Sequence, residues 1–157
     1  KVRLLDAVGA RPDVALIGTL NLPTGDAAFS RLRADPTLLV AFASELSPVA
    51  GVGYNIGAEW STGCDPAVAD ACVEVITVYL PYTLAFGFAV GERVGVFLES
   101  FGALPVGDTE VARHSLDGGL TLRVRDNLQL DVSGGIGLNG AAEDWLVGAG
   151  VALRLPR

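Results

Sequence analysis

Lysine is almost absent from this sequence, because Lys1 is the only one among 157 residues. Charged residues make up 18% of the chain, against about 25% in typical soluble proteins. A small soluble β-barrel packs apolar side chains inside and needs many Lys and Glu residues outside. The scarcity of lysine therefore argues against a solvated outer surface, while 50% of the residues are hydrophobic.

A hydrophobic run long enough for a membrane helix is also lacking. The longest uncharged stretch, residues 75–91, falls short of the roughly 18–20 apolar residues that a span needs. It holds Pro81 near its centre and then alternates between large and small residues. Residues 1–8 contain three charges and no apolar core of a signal peptide, so we expect a chain that is processed, cut down or cytosolic.

Excess positive charge and metal-ligand clusters are missing as well. The formal net charge is −7, which argues against nucleic acid as a partner, because phosphate contacts need a basic surface. The single histidine and the lack of a second cysteine pair predict no metal site. Cys64 and Cys72 lie eight residues apart in a Pro/Asp/Ala-rich loop, which predicts a disulfide and an oxidising compartment, with two free thiols as the alternative.

Alternation of apolar and polar residues is what the sequence does have. Residues 128–133 read Leu-Gln-Leu-Asp-Val-Ser, which is the period-two pattern of a two-faced strand. No segment has a helical period, so we predict one all-β domain over residues 1–157. The predicted strands, each about long enough to cross a bilayer at a tilt, are residues 1–8, 13–23, 37–47, 51–61, 75–90, 92–102, 115–125, 127–138 and 145–155.

Short and long connections alternate between these strands. The short connections are residues 9–12, 48–51, 90–93 and 125–127. The long and polar connections are residues 23–36, 62–74, 103–114 and 139–144. This layout predicts an antiparallel up-and-down meander and is typical of outer-membrane barrels, which have short periplasmic turns and longer external loops.

The two faces of the predicted strands have different compositions. One face carries large apolar residues. Aromatic residues that fall toward strand ends predict a girdle at the membrane interface, and they are Tyr54, Trp60, Tyr79, Tyr82 and Trp145. The other face carries small and hydrogen-bonding residues. We predict that this face lines a lumen with a charge network, in which the carboxylates pair with Arg93 and other arginines. The candidate lumen residues are Glu45, Asn55, Glu59, Glu99, Asp117, Arg123, Gln129, Asp131 and Arg154.

Several segments resemble a known family. They are "RPDVALIGTLNLPTGD" (11–26), "RVGVFLESFG" (93–102) and "LDGGLTLRVRDNLQLDVSGGIGLNGAAEDWLVGAGVALR" (116–154). Together they resemble the outer-membrane transporter-like family labelled "MetA-pathway of phenol degradation". The resemblance implies a transmembrane barrel of about twelve strands. The nine predicted strands, an odd number, would then be its C-terminal part. The chain departs from the family at its end, which reads Leu155-Pro156-Arg157 instead of closing on an aromatic residue.

Two motifs indicate chemistry but lack its structural context. Residues 135–140, "GIGLNG", fit a dinucleotide-binding pattern, but no helix is predicted after them. His114, Ser115 and Asp117 contain the residue types of a hydrolase, yet neighbours this close in sequence rarely meet as nucleophile, base and orienting group. We expect His114 to be a solvated loop residue.

The sequence thus predicts an outer-membrane β-barrel that acts as a channel or transporter for small aromatic or hydrophobic solutes. Its expected partners are the lipid bilayer and the solute, and it is expected to have no catalytic residues and no cofactor. The leading alternative is a soluble lipocalin-like barrel that binds a small ligand. A structural barrel with a plugged lumen is the third interpretation, and the sequence leaves the oligomeric state open.

Overall fold

The computed structural model describes residues 1–9, 11–25, 32–64, 72–107 and 110–155. This part of the chain is all β and contains no helix long and apolar enough to cross a membrane. The nine strands are β1 (Val2–Leu5), β2 (Asp13–Asn21), β3 (Asp35–Ser47), β4 (Ala50–Cys64), β5 (Glu74–Ala89), β6 (Val94–Pro105), β7 (Arg113–Arg125), β8 (Leu128–Gly137) and β9 (Trp145–Leu153).

The strands form one sheet in sequence order, and each pairs antiparallel with the next. The predicted meander of nine strands is confirmed. Within the described residues β1 and β9 each have a single neighbour, so the sheet is open and its closure into a barrel stays a prediction. The prediction was wrong at the first strand, because β1 ends at Leu5 and an isolated bridge between Val8 and Arg11 follows it.

The two ends of the sheet differ in their connections, as predicted. One end, here called the short-turn end, is where the chain passes from β1 to β2, from β3 to β4, from β5 to β6 and from β7 to β8. The opposite end, here called the long-loop end, is where it passes from β2 to β3, from β4 to β5, from β6 to β7 and from β8 to β9. The predicted alternation fails at the first connection of the short-turn end, because β1 ends at Leu5 and this connection has as many residues as the two shortest connections of the long-loop end.

Strand register separates the residues into two faces. Leu122, Leu130 and Val151 lie opposite one another on β7, β8 and β9, and they belong to what we call the apolar face. The next residues along the strands, Thr121 and Asp131, face the other side with Gly150, on what we call the polar face. Because side chains alternate along a strand, this register carries the same division across the sheet.

Exposure is reversed relative to a soluble sheet. On β8, Val132 is 54% exposed and Ile136 is 55% exposed. Asp131 and Ser133, which flank Val132 along the strand, are half-buried. On β9 the apolar Val147 reaches 75% exposure. A soluble antiparallel sheet buries its apolar face and exposes its polar face. The sheet instead leaves its apolar face bare and half-buries the centre of its polar face, while Glu45, Arg123, Gln129 and Arg154 at the short-turn end of that face are exposed.

Glycines let larger side chains lie across the polar face. A Cβ atom at Gly150 would come 2.4 Å from the carboxylate of Asp131 on the neighbouring strand. At Gly119, a Cβ atom would lie 2.6 Å from the ring of Phe97 and 2.3 Å from the carbonyl oxygen of Val132. The backbone cannot yield at this second position, so a larger residue there would distort the sheet.

Candidate functional site: the polar face

The candidate lumen residues predicted from the sequence lie on the polar face. The central row of this face runs across five strands through Gly53, Ala85, Glu99, Asp117 and Gly135. Because alternate residues share a face, the remaining candidates follow from the same register, and they are Glu45, Asn55, Glu59, Arg123, Gln129, Asp131 and Arg154.

A polar contact adjoins the centre of this face. The side-chain amide of Asn55 on β4 donates a hydrogen bond to the hydroxyl oxygen of Thr83 on β5, with 2.7 Å between the two atoms. Thr83 lies opposite Phe101 on β6, two residues from Glu99 on the same face. The hydrogen bond joins β4 and β5 through polar side chains, and the register brings hydroxyl, amide and carboxyl groups together on one face.

Two carboxyl groups meet at the centre of the polar face. Glu99 on β6 lies directly opposite Asp117 on β7. The Oδ1 atom of Asp117 is buried and has no hydrogen-bond partner. Facing like charges destabilise a strand pair, and a buried polar atom without a partner adds a desolvation cost. The sheet thus holds acidic groups together at this point at the expense of its own stability.

The expected charge network does not form. In the described part of the chain, the salt bridges are Arg3–Asp6 and Arg33–Glu74, and neither involves a candidate lumen residue. The physical reason lies in the register. Asp131 faces Thr121 and Gly150, and Glu99 faces Ala85 and Asp117, so no arginine is placed opposite these carboxylates.

Aromatic side chains on the polar face were missed in the sequence. Phe97 and Phe101 flank Glu99 at two-residue spacing on β6, which places all three on one face. Phe97 covers Gly119, and Phe101 lies between Thr83 and Ser115 in the register. The signal was present, because the strict alternation that assigns Glu99 to this face assigns both phenylalanines to it as well.

Tyr79 corrects the predicted aromatic girdle. It lies opposite Glu59 on the polar face, where it is 9% exposed, and the guanidinium of Arg113 lies 5.3 Å from its ring centroid. Trp60 and Trp145, by contrast, are exposed on the apolar face near the long-loop end. The girdle prediction is therefore wrong for Tyr79, because its position in the alternation of β5 places it on the polar face.

Buried hydrogen bonds stabilise the long-loop end. Asp35, which is 1% exposed, accepts hydrogen bonds from the backbone N–H of Thr62 at 2.9 Å and from its hydroxyl at 2.8 Å. The Thr62 hydroxyl oxygen in turn accepts the N–H of Arg33. Nearby, Cys64 and Cys72 form a disulfide with a Cα–Cα distance of 4.8 Å. This end of the sheet is thus tied together by polar and covalent links.

The hydrolase-like residues are not brought together. His114 lies on the apolar face, where its Nδ1 atom is 2.7 Å from the hydroxyl of Tyr82, while Ser115 and Asp117 lie on the polar face. The expectation of a solvated loop histidine was wrong, since His114 is half-buried within β7. Alternation along the strand sends it to the opposite side of the sheet from Ser115.

The other motifs of the sequence also have structural outcomes. Gly135 and Gly137 of the dinucleotide-like pattern lie within β8, and strand β9 follows instead of a helix. Residues 1–9, 11–25, 32–64, 72–107 and 110–155 contain no group of three or more His, Cys, Asp or Glu residues placed to hold a metal ion.

The chain was compared with models of known protein families. A family model described as "Putative MetA-pathway of phenol degradation" matches residues 4–155. This confirms the family resemblance that the sequence motifs indicated. No curated protein matches the chain.

Proposed function

Because the chain belongs to the family described as the putative MetA-pathway of phenol degradation, we propose that it forms part of an outer-membrane β-barrel that lets small solutes pass. The observation that carries this proposal is the reversed exposure of the sheet. An apolar face that is bare and a polar face that is half-buried at its centre suit a wall with lipid outside and a polar lumen inside.

Strand length supports a membrane setting. Strands β2–β9 contain between 9 and 16 residues, and about 9–11 residues cross the hydrocarbon region at the usual tilt. Three connections of two to four residues lie at one end and the longest connections lie at the other, which is the usual polarity of an outer-membrane barrel with its short turns in the periplasm.

The polar face supports aromatic or hydrophobic solutes. Phe97 and Phe101 offer two rings on either side of Glu99, and Thr83 and Asn55 add hydrogen-bonding groups beside them. Offset or edge-on contacts with aromatic rings favour planar solutes, and the polar groups fix the orientation of a hydroxyl or amine. In this proposal the wall binds and passes the solute without catalysis and without a cofactor.

The leading alternative, a soluble lipocalin-like barrel, makes the opposite demand on the sheet. Its ligand pocket would be lined by the small-residue face, and its apolar side chains such as Leu130, Val132 and Leu122 would be packed away from water. These three side chains are each at least 39% exposed, which favours lipid as their environment.

The membrane proposal is tested by measuring whether the two tryptophans contact lipid. Trp60 and Trp145 both lie on the apolar face, so in the full-length protein reconstituted in vesicles, brominated lipids should quench their fluorescence strongly. Far-UV circular dichroism and heat-modifiable gel mobility should show the fold in micelles and its absence in plain buffer. A monodisperse β-protein in buffer, with no quenching by brominated lipids, would overturn the membrane proposal.

Solute passage is tested separately. We expect the reconstituted protein to conduct ions in planar bilayers and to admit small aromatic solutes in a liposome-swelling assay. A protein that is quenched by lipid but neither conducts nor admits solutes would be a structural barrel with a plugged lumen.

A further inference from the structure

Arginine side chains are concentrated at the short-turn end of β6–β9. Four of the eleven Lys and Arg residues of a chain with net charge −7 lie there, and they are Arg93, Arg123, Arg125 and Arg154. They line two neighbouring cavities of about 450 Å³ and 460 Å³, which share Arg123, Arg125 and Asp126.

Three of these arginines form a row on the polar face. The backbone N–H of Arg123 donates to the carbonyl oxygen of Arg93 over 2.7 Å, so the ladder between β6 and β7 extends to this pair. Gln129 lies opposite Arg123, and the N–H of Arg154 donates to the carbonyl oxygen of Asn127 over 2.9 Å. We call Arg93, Arg123, Gln129 and Arg154 the arginine row.

The row is short of negative charge. In the described part of the chain no carboxylate lies within salt-bridge distance of Arg93, Arg123 or Arg154, although Glu92 and Asp126 line the same cavities. Asp131 lies on the same face, two residues from Gln129 along β8, yet within the described residues it forms no salt bridge with Arg123 or Arg154. Glu99 and Asp117 lie farther away, six residues from Arg93 and Arg123, or about 20 Å at the usual rise per residue. Facing like charges cost stability, so an anion between the guanidinium groups would stabilise this end.

We propose that the arginine row binds the oxyanion of a small soluble solute, a carboxylate or a phosphate. Guanidinium groups present paired N–H donors in the geometry that carboxylate and phosphate oxygens accept. Gln129 adds a neutral amide donor between Arg123 of β7 and Arg154, which follows the end of β9. Since the row stands on the polar face, a solute in the lumen reaches it.

The row also gives the pore a charge preference. Fixed positive charge at one mouth of a pore raises the local concentration of anions and lowers that of cations. Solutes that carry a negative group would therefore pass more readily than cations of the same size. This part of the inference rests on the proposed function, whereas binding of the oxyanion rests on the row alone.

The first test is ion selectivity of the full-length protein in planar bilayers. Under a KCl gradient, the reversal potential should show preference for chloride. The double variant Arg123→Gln/Arg154→Gln should lower the chloride-to-potassium permeability ratio about threefold or more. The control Arg3→Gln/Arg33→Gln removes the same charge from residues outside the row and should leave the ratio unchanged. Equal ratios in the two double variants would overturn the charge preference.

The second test measures binding and does not need conduction. In maltoside micelles, isothermal titration with benzoate and with inorganic phosphate should give heat with the native protein and the control. The Arg123→Gln/Arg154→Gln variant should lose about tenfold in affinity, as expected when two charge-assisted contacts are removed. Absence of binding to the native protein, or equal binding by both double variants, would overturn the inference. Binding without conduction would support the row and overturn the channel.

Lipid phosphate is the other source of an oxyanion. Adding phosphatidylglycerol to the micelles should leave benzoate affinity unchanged if the row serves a soluble solute. Competition by phosphatidylglycerol would overturn the assignment to a soluble solute and assign the row to a lipid headgroup instead.

Discussion

The long-loop end and the short-turn end of the sheet are built in different ways. At the long-loop end, Asp35 and Thr62 are buried and hydrogen-bonded, and Arg113 lies over the ring of Tyr79. At the short-turn end, the guanidinium groups of Arg93 and Arg123 have no carboxylate partner in the part of the chain that the structure describes. The comparison teaches that polar groups link the strands at the long-loop end, whereas the arginines at the short-turn end of β6–β9 have no carboxylate partner among the described residues.

Removing the Asp35 carboxylate should have the largest effect on stability. The Asp35→Ala variant leaves the N–H and hydroxyl of Thr62 without their acceptor in a buried place, which costs about 3 kcal/mol. Urea unfolding of the folded protein in micelles measures the loss. Glu45→Ala, an exposed carboxylate of the same strand at the short-turn end, should leave the unfolding midpoint unchanged. Equal losses in both variants would remove the difference between the ends.

Opening the disulfide should have the next largest effect. The Cys64→Ser/Cys72→Ser variant removes a link between residues eight apart, which costs about 2–3 kcal/mol by the loss of loop constraint. A reducing agent should lower the unfolding midpoint of the native protein by a similar amount and leave the variant unaffected. Insensitivity of the native protein to reduction would contradict the role of this link.

The contact between Arg113 and Tyr79 should contribute less. The Arg113→Gln variant removes the cation above the ring, which costs about 1 kcal/mol for a shielded pair. Arg113→Lys retains a cation and should recover part of the loss. If Lys and Gln lower the unfolding midpoint equally, the charge above the ring does not contribute.

Neutralising the arginine row should have the smallest effect on stability and can raise it. Arg123→Gln relieves repulsion from Arg93, so the unfolding midpoint in micelles should stay the same or rise slightly. Added inorganic phosphate should raise the midpoint of the native protein more than that of the variant, since a ligand stabilises the state that binds it. A clear loss of stability in Arg123→Gln would show that the row is structural.

Alternation along strands was enough to predict most of the fold. It assigned Leu130 and Asp131 to opposite faces and separated nine strands joined by short and long connections. It failed at β1, where a short apolar stretch looks like a strand but is interrupted by the Val8–Arg11 bridge. The alternation within a strand depends only on its own residues. The residue at which the strand ends also depends on which residues of the neighbouring strand can pair with it.

The site was less predictable than the fold. The alternation of side chains along each strand predicted which residues lie on the polar face, and the same alternation would also have assigned Phe97 and Phe101 to it. Ion pairing did not follow, because it depends on which residues stand opposite one another across strands. Asp131 lies over Gly150, and Arg123 faces Gln129, so opposite charges that share a face still do not meet. The arginine row appears only when the register of β6–β9 is known.

The open edges of the sheet have a consequence for solute size. The outer edges of β1 and β9 present backbone donors and acceptors, and these pair with any extended segment, whatever its side chains. The diameter of a β-barrel grows with the number of its strands. In the proposed barrel, the number of strands in the closed sheet would therefore set the size limit of the pore, while the side chains of the polar face would decide which solutes of permitted size are favoured.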